Sequence, residues 1–170
     1  MTYLAYYESP LGKIILRSDG KSLTGLCFES QKYQTSSMDE VLNDDLPIFK
    51  KTIDWLDIYF GGGIPSFTPS LSLSGTEFQK EVWNILKDIP YGQTMTYGEV
   101  AEIIAKRRNI ERMSSQAVGQ AVGHNPIAII IPCHRIVGAN GKMTGYAGGI
   151  DKKIALLNLE KMAFNQILFR

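Results

Sequence analysis

A cysteine directly followed by a histidine is the residue pair in this sequence with the clearest capacity for chemistry. Cys133 precedes His134 and Arg135. A free thiol has a pKa of about 8.5, and a neighbouring cation or general base lowers that pKa and increases the share of nucleophilic thiolate. The pattern therefore predicts a reactive thiol at Cys133. The alternative is a small buried hydrophobic residue, which is what most free cysteines are.

Glu160 is a third residue that could take part in this chemistry. Apolar spacing predicts a last helix over residues 151–164, with Asp151 as its cap, and Glu160 falls on the leucine-lined side of that helix. Its carboxylate should point inward, where it requires a partner. Either an arginine forms a structural ion pair with it, or His134 binds it in a Cys-His-carboxylate arrangement.

The segments on either side of Cys133 must position the thiol. Apolar residues 127–131 precede it, and the glycine-rich residues 137–149 follow it. The apolar run predicts a buried strand, and the glycines predict loops with conformational freedom. We therefore expect the thiol at a rim, packed on one side and open on the other.

Length and composition are ordinary for a globular protein. The chain has 170 residues, a net charge of +1, two cysteines and two histidines, and this length allows one large domain or two small ones. Two cysteines do not form a disulfide framework, so we expect a reducing, cytoplasmic setting. The spacing of cysteines and histidines does not suit zinc, so no metal is expected. We expect neither a secretory signal nor a membrane span.

Short strands joined by tight turns are predicted at the start of the chain. Residues 3–7, 13–17 and Leu23–Phe28 are rich in aromatic and aliphatic side chains and are separated by Pro, Gly and Asp. This pattern indicates an antiparallel meander. Cys27 lies within the third strand and is interpreted as structural.

The middle of the chain contains a loop, a helix and a linker. Residues 31–45 are polar and predict a loop with irregular or helical pieces. Residues 46–60 carry apolar side chains at helical spacing and are followed by three glycines. A segment rich in proline and serine comes next, which places the domain boundary near residues 70–76.

Helices dominate the second half of the prediction. Thr76 and Gln79 fit a capping box for a first helix, and Thr96 can cap a second over residues 97–106. A third runs from Ser114 or Ser115 to Gly123. A short second helix after a turn suggests a helix-turn-helix.

The third of these helices has one polar face of small residues. Each interior glycine costs a helix about 0.8–1 kcal/mol relative to alanine, so the face requires a reason: close approach to a DNA groove, or packing against another helix. The net charge gives no support for nucleic-acid binding. The dense basic cluster could contact phosphates or could be a solvated loop; it comprises Lys106, Arg107, Arg108 and Arg112.

The residues from about Thr76 to Glu160 resemble the O6-alkylguanine-DNA alkyltransferases. The resemblance rests on Asn125-Pro126, on residues 131–135 with the sequence IPCHR, on Gly138 and on residues 145–149 with the sequence GYAGG. It implies an α+β fold: a ribonuclease-H-like antiparallel sheet domain, residues 1–73, and a mainly helical winged-helix or helix-turn-helix domain, residues 74–170, that carries the active site.

The resemblance also implies the reaction. The Cys133 thiolate takes the alkyl group from guanine O6 and becomes a thioether. Because a thioether is a poor leaving group, the protein is consumed in a single turnover. His134 is implied as general base through a bridging water, with Glu160 fixing its tautomer. The Tyr97 hydroxyl is implied as a donor to guanine N3. No cofactor is needed.

Further roles come from the same resemblance. Asn125 and Arg135 are implied as supporting residues. The backbone N–H of Ala147 is implied as the donor to guanine O6, and the backbone carbonyls of Cys133 and Ile136 are implied as acceptors of the guanine amine. The loop that contains Met143, Tyr146 and Gly148 is implied as the wall of the alkyl pocket.

The implied partner is double-stranded DNA that bears O6-alkylguanine. The damaged base is flipped out of the double helix, and the DNA is bound through its minor groove by a monomer of the protein. Gln116 stands where the family has an arginine that fills the gap left by the base, so we expect weaker DNA binding. Preference among alkyl lesions, including O4-alkylthymine, stays open, and a lesion-sensing DNA-binding protein or a Cys-His-Glu hydrolase are alternatives. The expected DNA-contacting residues are Ser114, Ser115, Gln116, Ala117, Gly119, Gln120, Arg107 and Arg108.

Overall fold

The computed structural model describes residues 1–31 and 39–168, with side chains described up to residue 161. Three strands form an antiparallel meander as predicted: β1 (Thr2–Ser9), β2 (Gly12–Ser18) and β3 (Leu23–Phe28), with β2 in the centre. Gly12 closes the first turn with a φ of 114°, a conformation that costs glycine little.

A fourth strand makes this sheet mixed. β4 (Glu40–Leu42) pairs parallel with β1, which gives the order β3-β2-β1-β4. It lies within residues 31–45, for which a loop was predicted. A three-residue edge strand carries too short a pattern to be recognised. Residues 32–38 of that predicted loop lie outside the described residues.

One helix covers the sheet. α1 (Pro47–Phe60) begins with proline in its first turn, where the missing N–H has no cost. It packs across the first three strands and buries Phe49, Leu56 and Tyr59 completely. Gly61 ends it, close to the predicted boundary.

Three further helices follow in the second half. α2 (Glu77–Lys87) begins with the predicted capping box, in which Thr76 and Gln79 bond each other's backbone. Thr96 caps α3 (Tyr97–Arg107), and Ser114, rather than Ser115, caps α4 (Ser115–Gly123). α4 packs against both α2 and α3, and the Trp83 indole N–H donates to the Ala121 carbonyl at 2.8 Å. The second helix of the helix-turn-helix, α4, is therefore held from two sides.

The predicted strand over residues 127–131 is wrong. The segment is fully buried, but it forms one bridge, between Ile127 and Leu26, and then turns. Ile129 has a φ of 69°, and the Ile131 N–H donates to the Ile127 carbonyl at 3.1 Å. An apolar run reports burial and cannot by itself distinguish a strand from a buried turn.

The turn continues directly into the reactive segment. Cys133–Arg135 form a single 3-10 turn, and β5 (Met95–Thr96) pairs parallel with β6 (Ile136–Val137). After a second 3-10 turn, Ala139–Gly141, the chain enters α5 (Ile150–Leu168). Asp151 lies in the first turn of α5 and is not its cap, which corrects the predicted start by one residue.

The two halves of the chain share backbone hydrogen bonds at this segment. The Leu26 N–H donates to the Pro126 carbonyl, and the Ala128 N–H donates to the Leu26 carbonyl, both at 2.9 Å. The sheet therefore fixes the segment that leads to Cys133. None of the helices over the described residues is both long enough and apolar enough to cross a membrane.

Candidate active site

Cys133 lies in the wall of a cavity of about 610 Å³. Its residue surface is only 7% exposed, so the thiol is accessible only from within this cavity. A cavity of this size suits a ligand of a few hundred daltons. The lining residues come from the turn after β3, from α3 and α4, from the segment between α4 and Cys133, and from the loop before α5 with the first residue of α5: Ser30, Gln31, Tyr97, Gly119, Val122, Gly123, Asn125, Ala128, Cys133, Gly145, Tyr146, Ala147, Gly148, Gly149 and Ile150.

The carboxylate of Glu160 is the centre of a buried hydrogen-bond network. The residue is 1% exposed. Its Oε2 atom accepts from His134 Nε2 at 2.5 Å and from the Tyr59 hydroxyl at 2.6 Å. Its Oε1 atom accepts from Arg135 Nε at 2.8 Å and from the Gly92 backbone N–H at 3.1 Å. Both alternatives left open by the sequence are present, because the carboxylate binds an arginine and His134 together.

The charge states of this network follow from its geometry. Burial alone would raise the pKa of Glu160, but the hydrogen bonds from His134 and Arg135 and the charge of Arg135 outweigh it and hold that pKa at about 2. Burial lowers the pKa of His134, and the charges of Arg135 and Lys153 lower it further against the opposing effect of Glu160. Glu160 is therefore an anion beside a neutral imidazole.

This arrangement selects one tautomer of His134. The ionised Glu160 carboxylate can accept a hydrogen bond but cannot donate one. His134 Nε2 therefore carries the proton, and His134 Nδ1 carries the lone pair. The Nδ1 atom is buried and has no hydrogen-bond partner within the described part of the chain. His134 therefore presents a basic nitrogen on the side opposite to Glu160.

The cation that acts on the thiol is not Arg135, although Arg135 follows the Cys-His pair in sequence. Arg135 does not face Cys133, because its guanidinium binds Glu160 and the Ile89 carbonyl at 2.8 Å. The cation that acts on the thiol is Lys153, a residue 1% exposed. Burial raises the pKa of the Cys133 thiol, although Asn125, Lys153 and Tyr146 oppose that shift. The resting thiol is protonated and needs a base.

Asn125 shapes the backbone before the thiol. Its Nδ2 atom donates to the Ile131 carbonyl at 2.8 Å, and its Oδ1 atom accepts from the Ile127 N–H at 3.0 Å. The Cys133 N–H also donates to the Ile131 carbonyl at 2.8 Å. One side chain thus closes the turn that aims the thiol into the cavity.

Tyr97 stands on the cavity wall between α4 and the loop before α5. Its hydroxyl and the Thr144 hydroxyl are 3.0 Å apart, and its ring packs against Gly119, where an added Cβ would lie 3.6 Å from the ring. Thr144 was not singled out from the sequence. A threonine in a glycine-rich loop gives no local signal of such a contact.

The loop before α5 supplies part of the predicted pocket. Tyr146, Ala147 and Gly148 line the cavity. A Cβ at Gly148 would lie 2.9 Å from the rings of both Tyr146 and Phe28, so this position requires glycine. The Tyr146 hydroxyl is buried and lies close to the Cys133 thiol. Burial raises the pKa of Tyr146, and the nearby thiol raises it further.

Two predicted pocket residues are not brought to the cavity. Met143 is 40% exposed. The Gly138 N–H donates to the Lys142 carbonyl, and this bond closes the loop one residue before Met143. Ile136 is fully buried in the β5–β6 pair and does not line the cavity. Residues at the end of the first strand meander, Ser30 and Gln31, do line it, and no local pattern in the sequence indicated this.

The exposed face of α4 adjoins the cavity. Ser114, Ser115, Gln116 and Gln120 are exposed, and Gly119 is half-buried. Helical spacing predicts Ala117, Val118, Ala121 and Val122 on one side of α4, and of these Val118, Ala121 and Val122 are buried whereas Ala117 is half-buried. Gly119 and Gly123 lie in the cavity lining itself. Gly119 packs against Tyr97 of α3, which supports packing against another helix as the reason for this glycine, and close approach to a DNA groove stays a prediction.

The basic cluster does not form one surface with α4. Arg108 binds Glu81 of α2 at 2.6 Å and lies over the Phe78 ring. Arg107 borders a depression formed by α2 residues. These two arginines therefore lie beside α2, and the expectation that they contact DNA stays a prediction. Arg112 instead shares a depression with Ser114 and Ser115.

Sequence and structure comparisons support one family for both halves of the chain. Residues 2–73 match the model described as the ribonuclease-like domain of 6-O-methylguanine DNA methyltransferase, and residues 77–162 match its DNA-binding domain. A methylated-DNA–protein-cysteine methyltransferase of Methanosarcina acetivorans is 47% identical over 93% of this chain and 97% of its own length.

Solved structures give the same result. The fold is similar to Mycobacterium tuberculosis OGT in complex with DNA, with a TM-score of 0.83 and 44% identity over 95% of this chain and 94% of that one. It is also similar to the O6-methylguanine-DNA methyltransferase of Pyrococcus kodakaraensis, with a TM-score of 0.61 and 27% identity over 94% of this chain and 99% of that one.

Proposed function

The chain belongs to the methylated-DNA–protein-cysteine methyltransferase family, and we propose that it repairs O6-alkylguanine in double-stranded DNA by moving the alkyl group to Cys133. The observation that carries this proposal is the site itself. A buried thiol faces a cavity of about 610 Å³ beside a neutral histidine that an ionised glutamate holds. That cavity opens next to the polar face of α4.

The depth of the thiol supports base flipping. Cys133 is only 7% exposed, so a duplex lying on the protein surface cannot bring a paired guanine to it. A nucleotide rotated out of the stack can enter the cavity, at a cost of a few kcal/mol for unpairing and unstacking. A lesion that already weakens base pairing lowers that cost, which favours damaged over normal guanine.

The proton and electron movements are simple. The thiol proton passes to His134 Nδ1, directly or through water, while Glu160 keeps the Nε2 proton in place and stabilises the imidazolium. The sulfur then displaces guanine from the alkyl carbon, so that one S–C bond forms and the O6–C bond breaks. The Tyr97 hydroxyl donates to the guanine as negative charge builds on it. The thioether product is a poor leaving group, so each protein acts once.

The face of α4 is suited to the minor groove. Gly119, Gly123 and Ala117 add little bulk, so the helix can approach the base edges closely. Lys106, Arg107 and Arg112 form no ion pair within the described residues, and we propose that they contact phosphates. The protein acts as a monomer in the cytoplasm, where its two free cysteines stay reduced.

Gln116 sets the strength of DNA binding in this proposal. It is exposed on the first turn of α4, where its amide can stack on the gap left by the base but adds no charge. Gln116→Arg should tighten binding to duplex DNA about tenfold at low salt, through one added charge-assisted contact. Fluorescence anisotropy at several salt concentrations measures this change. Gln116→Lys is the control for charge alone, and unchanged affinity in both variants would contradict the placement of Gln116.

The rate of alkyl transfer should depend on pH through His134. A protonated imidazole cannot accept the thiol proton, and burial lowers the pKa of His134 below its ordinary value of 6.5. The rate at saturating DNA should therefore be constant at neutral pH and fall only when the pH drops below 6.5. Single-turnover transfer from a labelled oligonucleotide gives the profile. A midpoint above the ordinary value would show that the imidazole is not held neutral.

Intact-protein mass spectrometry tests the proposed function. After incubation with a duplex carrying O6-methylguanine, the protein should gain the mass of one methyl group and no more, and the digested DNA should contain guanine. A hydrolase would release the methyl group and retain no added mass. A lesion-sensing protein would bind the duplex and leave both molecules unchanged.

A further inference from the structure

Tyr59 connects the N-terminal half of the chain to the proposed catalytic network. It lies one residue before the end of α1 and is fully buried. Its hydroxyl donates to Glu160 Oε2 at 2.6 Å across 101 positions of sequence. No pattern in the sequence assigned the first half of the chain a part in the chemistry, whereas this bond does.

The ring of Tyr59 is fixed by aromatic neighbours. It stacks on Trp55 at a centroid distance of 5.3 Å and meets Phe60 and Tyr91 edge-on at 5.3 and 6.1 Å. A ring held on three sides leaves its hydroxyl little freedom to move. The donor therefore belongs to a rigid wall rather than to an adaptable side chain.

Tyr59 and His134 share a single oxygen. Oε2 accepts from both, whereas Oε1 accepts from Arg135 and the Gly92 N–H. A donor on Oε2 draws part of the carboxylate charge to itself and leaves less of it for the imidazole. It also fixes the rotation of the carboxylate, so that Oε2 stays aimed at Nε2.

We propose that Tyr59 is a positioning residue that keeps His134 neutral and correctly oriented by sharing Glu160 Oε2 with it. This inference rests on the proposed function for its catalytic meaning. With the hydroxyl present, His134 stays a free base until the thiol proton arrives. Without it, the whole charge of Oε2 faces Nε2–H, the imidazolium is stabilised, and the base is protonated at higher pH.

Other groups act on the same imidazole and must stay constant in a test. Arg135 lies on the 3-10 turn, Lys153 comes from α5, and the thiol of Cys133 is adjacent in sequence. Tyr91 and Tyr146 feel the charge of Glu160 as well. Since Tyr59→Phe alters none of these side chains and keeps the packed ring, it isolates the shared hydrogen bond.

The chain offers a matched control. The Tyr91 hydroxyl is buried in the same aromatic cluster but has no hydrogen-bond partner within the described residues. Tyr91→Phe therefore removes a similar hydroxyl without touching Glu160, and the phenyl ring still packs under Arg135. Thermal melting of both variants separates any loss of stability from a change at the base.

The experiment compares the pH profile of methyl transfer in wild type, Tyr59→Phe and Tyr91→Phe, together with an NMR titration of His134 without DNA. The chain has only two histidines, so His124→Asn assigns the His134 signals. Tyr59→Phe should move both the acid midpoint of transfer and the His134 titration upward by about one pH unit, equivalent to one charge-assisted hydrogen bond. Tyr91→Phe should move neither.

The proposal is overturned if all three proteins share one His134 titration and one acid midpoint, even if Tyr59→Phe melts at a lower temperature. Failure of the proposed function looks different, because wild type would then transfer no methyl group at any pH. The NMR titration needs no DNA, so it still decides whether Tyr59 controls His134 in that case.

Discussion

Replacing Cys133 with serine should abolish methyl transfer while leaving DNA binding intact. A hydroxyl is far less acidic than a thiol, and His134 is a weak base whose pKa burial lowers further. We expect the transfer rate to fall by roughly 10⁴-fold or more, as when a nucleophile is removed from a catalytic unit. Single-turnover transfer from a duplex with one O6-methylguanine measures this loss.

Cys27→Ser is the matched control for that variant. Cys27 is half-buried in β3, and Arg17 approaches its sulfur at 3.6 Å. It lies outside the lining of the cavity that holds Cys133, so its removal should leave the rate within about twofold of wild type. Transfer that survives in Cys133→Ser but disappears in Cys27→Ser would show that Cys27, and not Cys133, accepts the methyl group.

Replacing Glu160 with glutamine should damage both rate and stability. The amide presents an NH₂ group to hydrogen-bond donors that meet a carboxylate oxygen in the wild type. It also leaves the buried Arg135 without its counter-charge. His134 can accept from that NH₂ only by moving its own proton to Nδ1, which removes the base. We expect a rate loss of about 10³–10⁴-fold, as for the wrong tautomer in a catalytic triad, and a stability loss of about 3–5 kcal/mol.

The stability of the wild type should also depend on Glu160 in acid. The pKa of Glu160 is about 2 in the folded protein against an ordinary value of 4.5. Its contribution is therefore fully present above pH 4.5 and is lost as the pH falls toward 2. Urea unfolding across this range should show the loss in wild type, and this part of it should be missing in Glu160→Gln.

Glu81→Gln provides the control for these stability measurements. Glu81 pairs with Arg108 at 2.6 Å, but the two side chains are 23% and 41% exposed. A pair in this setting contributes about 0–1 kcal/mol, so its loss should be small and should leave transfer unchanged. Equal losses in Glu81→Gln and Glu160→Gln would contradict the assignment of Glu160 as the buried centre of the network.

Local patterns in the sequence predicted the parts of the fold that local forces determine. The capping box at Thr76, the caps at Thr96 and Ser114, and the buried face of α4 each depend on residues within one or two turns. The inward direction of Glu160 followed from helical spacing in the same way. Such features need no knowledge of the tertiary structure.

The remaining features depend on contacts between distant residues. Tyr59 and Glu160 are 101 positions apart, and no periodic pattern could join them. Burial of residues 127–131 was predicted correctly, but their conformation was not, because Ile129 adopts a positive φ that only the surrounding core determines. A strand and a buried turn share the same apolar composition.

Electrostatics was the least predictable property of the site. Arg135 is next to the Cys-His pair in sequence but turns toward Glu160, whereas Lys153 acts on the thiol from α5. Sequence adjacency thus placed the proposed nucleophile next to its proposed base but did not indicate which cation acts on the thiol. The pKa of Cys133 is raised by burial, so the proposed mechanism requires His134 to activate the thiol at the moment of reaction.

The most direct test of the account follows a labelled methyl group to its acceptor. The protein is incubated with excess duplex carrying O6-methylguanine with an isotopically labelled methyl, then digested and mapped by tandem mass spectrometry. We expect one label per chain, on the peptide that contains Cys133, and none on the peptide that contains Cys27. Label on any other residue, more than one label per chain, or label released as methanol would contradict it.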